Sequence, residues 1–327
     1  MATPPRKIDK DMFFYVTVRA VHRRYRFVPK PRIRAAIRFC LAVVLERYRN
    51  EGKIELYEFL FMSNHYHLLG RDLAGCLPKF IKDFNSLLSS ELNALRGTSD
   101  SNFSRKPYGL VQVHGDTRLV THAVYTLANP ISAFLVARSR HWPGASSLKL
   151  EYGQGVLVDK PRGGLWSGRA AHGSRRASKR SKRAVYANRS VLPDQAELTI
   201  DRPPVMLHLS ATELRQHIRS SLAERERELD LERAERNIRV VGRRRVLSTH
   251  YDDMPSSEEL FGRNPTFSAE TDEQRAFFAR AYKAFVAAYD AARDLYYATK
   301  LELRDKVVFP AGTYRLRIVD GVACADP

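Results

Sequence analysis

The chain has 327 residues, with 55 Lys and Arg against 36 Asp and Glu, a formal net charge of +19 and a pI near 10. A positive excess of this size indicates a polyanionic partner. No stretch approaches the roughly 18 uninterrupted apolar residues of a membrane span, so nucleic acid is favoured over a membrane surface. The three cysteines are widely spaced and no apolar export signal is visible, which predicts a cytoplasmic protein without disulfides.

The first half of the sequence alternates short apolar runs, typical of strands, with longer amphipathic stretches typical of helices. In chain order the predicted elements are strand 13–21, helix 32–49, strands 53–60 and 64–70, helix 77–95, strand 108–113 and helix 117–136. The order β-α-β-β-α-β-α is that of a ferredoxin-like α+β sandwich. We expect an antiparallel sheet with its helices on one face.

Composition divides the chain into three predicted regions, 1–152, 153–203 and 204–327. The middle region is predicted to be a basic flexible linker, because positions 160–189 hold ten Lys or Arg and no Asp or Glu. We interpret it as an arm that contacts phosphates, with a solubilising tether as the alternative. Its candidate DNA contacts are Arg175, Arg176, Lys179, Arg180, Lys182 and Arg183.

The last region, 204–327, is predicted to be mainly helical and has no assigned role. Ser210 followed by Glu213 predicts a capping box at the start of a helix. An aromatic stripe at helical spacing predicts one buried helix face, with base stacking as the alternative. The aromatic members of this stripe are Phe278, Tyr282, Phe285, Tyr289 and Tyr296.

The stretch Met62-Ser63-Asn64-His65-Tyr66-His67-Leu68-Leu69 follows a predicted strand and reads as a turn into a second one. Successive side chains on a strand point to opposite faces, so His65 and His67 share a face and Tyr66 points away. Two imidazoles roughly 6.5–7 Å apart along a strand can converge on one divalent ion. Two histidines on a solvated strand face are the alternative.

Tyr125 and Asn129 lie four residues apart in the predicted third helix, hence on one helix face. An amide oxygen can join two imidazoles around Mg²⁺ or Mn²⁺ and leave positions for phosphate oxygens and water. A tyrosine hydroxyl with its usual pKa of about 10 is a weak nucleophile, and such a cation would assist its attack on a phosphate. The resulting phosphotyrosine conserves bond energy, so a second strand's hydroxyl can reverse the step without ATP.

Three further motifs accompany the His65-Tyr66-His67 strand over about residues 10–150, namely Glu91-Leu92-Asn93, Tyr125-Thr126-Leu127-Ala128-Asn129-Pro130 and Trp142-Pro143-Gly144. In this order they resemble the IS200-type single-tyrosine HUH transposases, and among them the REP-associated tyrosine transposase branch. The resemblance implies an HUH endonuclease core over 1–152, a divalent metal, single-stranded DNA hairpin substrates and a 5′-phosphotyrosine intermediate. It implies His65, His67 and Asn129 as metal ligands and Tyr125 as the nucleophile.

The chain departs from the family pattern in two places. Family members commonly have Phe-Trp-x-Arg-Arg-Tyr where this chain has Phe103-Ser104-Arg105-Lys106-Pro107-Tyr108, and a small Ala-Gly pair where it has Ala133-Phe134. A Gly-to-Phe change at a packed helix end could shift the site. The alternative function is therefore a domesticated, catalytically inactive protein that binds hairpin DNA.

Two other function classes also act on nucleic acids. Replication initiators and relaxases often carry paired tyrosines or a third metal histidine and an added helicase, but this chain has one suitably placed tyrosine and no GxxxxGK[ST] loop. RNA binding through the basic linker stays open, because phosphate contacts do not distinguish RNA from DNA. As a DNA-acting protein the chain is expected at the nucleoid in the cytoplasm, either as a monomer or as a homodimer.

Weaker candidates surround the proposed site. His122 lies one turn before Tyr125 and could orient the phenol or carry a proton, with an ordinary helix histidine as the alternative. Glu58, in the preceding strand, could support a metal-bound histidine, with a surface charge as the alternative. The candidate phosphate contacts outside the linker are Lys79, Lys82, Arg105 and Lys106.

Overall fold

The computed structural model describes residues 5–163, 192–256 and 265–314, and the backbone of strands 316–319 and 322–325. The strands are β1 (Met12–Arg19), β2 (Ile54–Phe61), β3 (His65–Asp72), β4 (Gly109–Val113), β5 (Val156–Asp159), β6 (Gln195–Leu198), β7 (Phe267–Ser268), β8 (Leu316–Val319) and β9 (Val322–Ala325). The α-helices are α1 (Pro31–Asn50), α2 (Leu77–Arg96), α3 (Asp116–Ser132), α4 (Ala211–Glu235), α5 (Arg243–Ser248) and α6 (Asp272–Ala298).

The central sheet has the strand order β2-β3-β1-β4-β7 and belongs to an α+β fold. Neighbouring strands among the first four are antiparallel, and β3 lies between β1 and β2. The expectation of a purely antiparallel sheet was wrong, because β7 pairs with β4 in parallel through Gln112↔Phe267 and Val113↔Ser268. A strand of two residues carries too little alternation to be visible in the sequence.

Helices cover both faces of the sheet, which corrects the expectation of helices on one face. Tyr66 of β3 donates to Asn85 of α2 at 2.7 Å and stacks among the buried rings of Phe61 and Phe84. Its neighbour His67 points to the opposite face and lies 6.3 Å, ring to ring, from Tyr125 of α3. Because side chains alternate along β3, Tyr66 lies on the sheet face covered by α1 and α2, and His67 lies on the face covered by α3.

The C-terminal region packs on this core through α4. Ser210 caps α4 by accepting from the Glu213 amide while Glu213 accepts from the Ser210 amide, so the predicted capping box is present. The buried side chains of α4 face α3 and include Leu214, Ile218, Leu222 and Leu229. Because α3 carries Tyr125 and Asn129, the C-terminal region fixes the helix that positions these two side chains.

The two ends of the 153–203 region are paired as β5 and β6, and this hairpin packs on α1. The predicted phosphate contacts Arg175, Arg176, Lys179, Arg180, Lys182 and Arg183 lie outside the described residues. The division of the chain at 152 and 203 stays a prediction. Within the part of the chain that is described, no helix is long and apolar enough to cross a bilayer.

The aromatic stripe of α6 is the least exposed face of that helix. Phe285 and Ala292 are buried, and Phe278 stacks on His114 with ring centroids 3.6 Å apart. Tyr282 donates its hydroxyl to the Pro5 carbonyl at 2.9 Å. These contacts fasten α6 to the N-terminal segment and to the end of β4, which favours packing over base stacking for this stripe.

Candidate active site

The pairing of β3 with β1 places both histidines of the motif on the face that α3 covers. His65 lies opposite Arg19 and His67 opposite Thr17 in the antiparallel register. The two imidazole rings are nearly perpendicular, with centroids 4.8 Å apart. Because the side chains alternate along the strand, Tyr66 packs on the other side and leaves this face to polar groups.

His67 is held by the hydroxyl groups of β1. Its Nδ1 lies 2.6 Å from the Tyr15 hydroxyl and 3.0 Å from Thr17 Oγ1. Each hydroxyl can accept a proton from Nδ1 or donate one to it, and the tautomer with the ring proton on Nδ1 is the one that suits a metal ligand. The other nitrogen, Nε2, then keeps its lone pair, and it is buried without a partner among the described residues. This is the arrangement that a metal-binding histidine requires.

Both imidazoles are held in the neutral form. Burial, with a contribution from the Arg19 charge, lowers the pKa of His65 to about 4. Burial and the neighbouring His65 lower the pKa of His67 well below its usual value. His65 is oriented by its own neighbour, since its Nδ1 lies 2.8 Å from Asn64 Oδ1. Neutral imidazoles are the form that binds a metal ion.

Asn129 and Tyr125 reach this pair from α3. The Asn129 side chain faces both histidines and, as a polar neighbour, raises the pKa of each and partly offsets the effect of burial, while His67 Nε2 itself has no hydrogen-bond partner among the described residues. Asn129 itself is buried, and its amide nitrogen has no partner among the described residues. Tyr125, one turn earlier, is 51% exposed, so its hydroxyl is open to a large substrate beside the buried polar cluster.

The side chains of this cluster could hold a divalent ion that takes its other ligands from water or phosphate. Within the described residues, no cluster of three or more His, Cys, Asp or Glu side chains has the geometry to hold a metal. A metal here would depend on His65, His67 and an amide oxygen of Asn129, with the remaining positions left to phosphate oxygens or water. The unpartnered Nε2 of His67 is the observation that agrees with such a group, because its lone pair can face a cation.

His122 lies beside this cluster but packs on Tyr15 with ring centroids 4.8 Å apart. Burial, with a contribution from the Arg118 charge, lowers the pKa of His122 to about 4. Its Nδ1 is buried without a partner among the described residues. The lowered pKa makes the ring a weaker base than an ordinary histidine, and the role of His122 as a proton carrier stays a prediction.

Glu58 does not support a metal-bound histidine, which is the role that the sequence suggested for it. Its carboxylate is fully buried and binds Arg215 of α4, the Tyr152 hydroxyl at 2.6 Å and the Ser147 hydroxyl. None of these contacts involves His65 or His67. The sequence could not indicate this partner, because Arg215 lies 157 residues away.

The candidate phosphate contacts fall into two groups. Lys79 and Lys82 lie on α2, which covers the face of the sheet away from Tyr125, and Lys79 pairs with Asp83 at 3.1 Å. Arg105 and Lys106 are exposed in the loop before β4. The structure therefore does not bring the two lysines to the cluster of Tyr125 and Asn129.

Sequence reasoning missed Tyr15, Thr17 and Asn64, whose side chains orient the two histidines. Burial raises the pKa of Tyr15 well above its usual value, so its hydroxyl stays neutral and does not compete with Tyr125 as a nucleophile. A signal was present, because Tyr15, Thr17 and Arg19 alternate along β1 and carry polar groups on one face. The contacts of Tyr15 and Thr17 with His67 depend on the register of β1 against β3, two strands that are about 50 residues apart in the sequence.

Phe134 stands where the transposases that this sequence resembles commonly have glycine, and the helix end accommodates it. Its φ is +50°, the left-handed conformation that glycine favours. The Phe134 N–H donates a hydrogen bond to the Ile131 carbonyl and the Leu135 N–H donates one to the Pro130 carbonyl. Together these two bonds form a Schellman motif at the end of α3. Arg236 covers the ring at 5.5 Å. The chain thus keeps the usual helix termination with an unusual residue.

Comparison with known proteins gave one structural similarity. No protein-family model matches this sequence, and no curated protein matches it. A solved structure described as a REP-associated tyrosine transposase bound to a REP hairpin is similar over 45% of this chain and 82% of that chain. The two share 14% sequence identity, with a TM-score of 0.37.

Proposed function

We propose that this chain is a metal-dependent single-stranded DNA endonuclease and strand transferase of the single-tyrosine HUH type, acting on hairpin DNA. The observation that carries the proposal is the meeting of Tyr125, exposed on α3, with the neutral pair His65 and His67 and the buried amide of Asn129. A structural histidine pair would need neither a free Nε2 nor an exposed tyrosine beside it. The proposed ferredoxin-like HUH core comprises β1 to β4 with α1, α2 and α3.

In the proposed reaction the Tyr125 hydroxyl oxygen attacks the scissile phosphorus. The new O–P bond forms as the bond from phosphorus to the 3′ oxygen breaks, which leaves a 5′-phosphotyrosine and a free 3′-OH. The phenolic proton passes to a base, for which His122 Nδ1 is the candidate, and the leaving 3′ oxygen takes up a proton. Mg²⁺ or Mn²⁺ bound by His65, His67 and Asn129 would polarise the phosphate and stabilise its developing charge.

The DNA contacts in this proposal come from basic groups outside the cluster. Arg105 and Lys106, together with the basic segment that contains Arg175, Arg176, Lys179, Arg180, Lys182 and Arg183, would bind phosphates of the hairpin or its flanks. A net charge of +19 supports such contacts. The proposed setting is the nucleoid of the cytoplasm.

The test uses single-stranded hairpins from around the protein's own gene, labelled at the 5′ or the 3′ end. Each is incubated with Mg²⁺ or Mn²⁺, and the products are run on a denaturing gel. We expect a protein–DNA adduct that requires metal, disappears in Tyr125→Phe and persists in Tyr297→Phe, a matched control whose tyrosine is 67% exposed on α6. Tight, metal-independent binding without an adduct would instead support the inactive hairpin-binding protein.

Metal binding has its own measurement. Titration of the DNA-free protein with Mn²⁺, followed by electron paramagnetic resonance, measures the free aqueous ion and gives the bound ion by difference. Asn129→Ala and His67→Ala are each expected to weaken binding at least tenfold, because each removes one of three protein ligands. Equal affinity in all three proteins would exclude these residues as the metal site.

A further inference from the structure

A second candidate site is a cavity of about 460 Å³ between the start of α1, the end of α2 and Tyr251, a residue of the C-terminal region. Its inner wall is apolar and includes Val28, Ile33 and Leu95. The volume lies within the range of roughly 300–1,000 Å³ typical of small-ligand sites. The cavity is therefore large enough for one planar heteroaromatic group with its attached sugar and phosphate.

The Tyr251 ring is held in place on several sides. The Arg96 guanidinium lies 4.6 Å from the ring centroid and that of Arg26 lies 5.3 Å from it. The following residue, Asp252, pairs with Arg24 and with Arg26, the latter at 2.9 Å. Tyr251 lines the cavity, and because these contacts and the His250 ring, 4.5 Å away, already restrict its ring, binding would cost little side-chain freedom.

The charged side chains that line the cavity are all basic, and the nearby Asp252 is paired with Arg24 and Arg26. Lys30, Arg32 and Arg96 line the cavity, and none of its described lining residues is acidic. Lys30 and Arg32 are exposed, and the first turn of α1 contains no acidic side chain. An apolar wall, a tyrosine and a cationic rim complement a nucleotide, which combines a planar base with an anionic phosphate.

One backbone hydrogen bond links the wall of the cavity to the turn that precedes β3. Phe27, next to the lining residue Val28, donates its amide to the Ser63 carbonyl at 2.8 Å, two residues before His65. The cavity therefore lies at the end of the sheet where β3 begins, on the face away from Tyr125. To reach the cavity from Tyr125, a single strand would have to pass around this end of the sheet.

We propose that this cavity binds one unpaired nucleotide of a single-stranded DNA flank, with its base against Tyr251 and its phosphate at Lys30 and Arg32. The proposal takes from the proposed function only that the chain binds single-stranded DNA. It assigns a binding role to the C-terminal region, because that region supplies Tyr251. An acidic peptide could use the same cations, but the net charge of +19 and the apolar wall beside Tyr251 favour DNA.

The test separates binding from cleavage by using Tyr125→Phe protein in EDTA throughout. Fluorescence anisotropy measures the affinity for a labelled hairpin with single-stranded flanks and for a series that carries one abasic site at each flank position. We expect one abasic position to weaken binding about 5- to 150-fold, the range for loss of one stacked base. In Tyr251→Ala the intact DNA should bind more weakly by a similar factor, and the abasic site should have no further effect.

Two controls keep the result interpretable. Tyr297→Ala removes an exposed tyrosine outside the cavity and should bind like the parent protein. Arg32→Gln, an exposed change that spares the fold, should weaken binding and reduce its salt dependence. An abasic penalty that is unchanged in Tyr251→Ala would overturn the proposal, and so would Tyr251-dependent binding confined to RNA or to an acidic peptide. Loss of adduct formation alone would bear only on the proposed function.

Discussion

The buried ion pair between Glu58 of β2 and Arg215 of α4 joins the C-terminal region to the sheet beneath α3. Both side chains are fully buried. Arg215 also donates to the Ser147 carbonyl at 2.5 Å and to the Leu150 carbonyl at 2.9 Å. Replacement by methionine would keep much of the side-chain volume but leave the Glu58 carboxylate charged in the interior with only hydroxyl donors.

Removing one partner of a buried pair costs about 3–5 kcal/mol, because the other charge stays buried and uncompensated. We therefore expect Arg215→Met to lower the free energy of unfolding by that amount, measured by urea denaturation and circular dichroism. Arg219→Met is the matched control, one turn later on α4. Its partner Glu151 is 36% exposed, so its loss should cost at most about 1 kcal/mol.

The double variant Glu58→Gln/Arg215→Met tests the physical reason. It removes both charges while the hydroxyl groups of Tyr152 and Ser147 can still donate to the glutamine. The double variant should be more stable than the sum of the two single changes predicts, by at least about 1 kcal/mol. If Arg215→Met costs no more than Arg219→Met, the reasoning about a desolvated charge is refuted.

Three smaller predictions follow from other contacts. The pKa of His122 is about 4 in the folded chain against 6.5 when unfolded, so stability is full above pH 6.5 and falls by on the order of 3 kcal/mol towards pH 4. Urea titrations across this range should show a shallower fall in His122→Gln, and an unchanged slope would contradict the assignment. Gly144→Ala should lower the melting temperature, because its Cβ would lie 2.2 Å from Trp142 Nε1 and 2.7 Å from the Phe61 carbonyl oxygen. An unchanged melting temperature would show that the loop can shift. Phe134→Val should cost about 1–2 kcal/mol in urea denaturation, because a β-branched residue tolerates positive φ poorly, whereas Phe134→Gly should lie within about 1 kcal/mol of the parent.

The sequence determined the local elements of the core. Apolar periodicity predicted the first three helices, and the helix predicted at 77–95 is observed at Leu77–Arg96. It also fixed which side chains share a face, as for His65 with His67 and for Tyr125 with Asn129. These are properties of a single strand or helix, whose geometry depends only on residues a few positions apart.

Contacts between distant segments were decided only by the tertiary structure. The hydroxyl groups that hold His67 come from β1, the partner of Glu58 comes from α4, and the aromatic wall of the proposed nucleotide cavity comes from Tyr251. The parallel pairing of β7 with β4 and the placement of helices on both faces of the sheet are also contacts between distant segments. Each depends on strand register and on how whole elements pack, and periodicity along the chain carries no information about which distant residue will supply the partner.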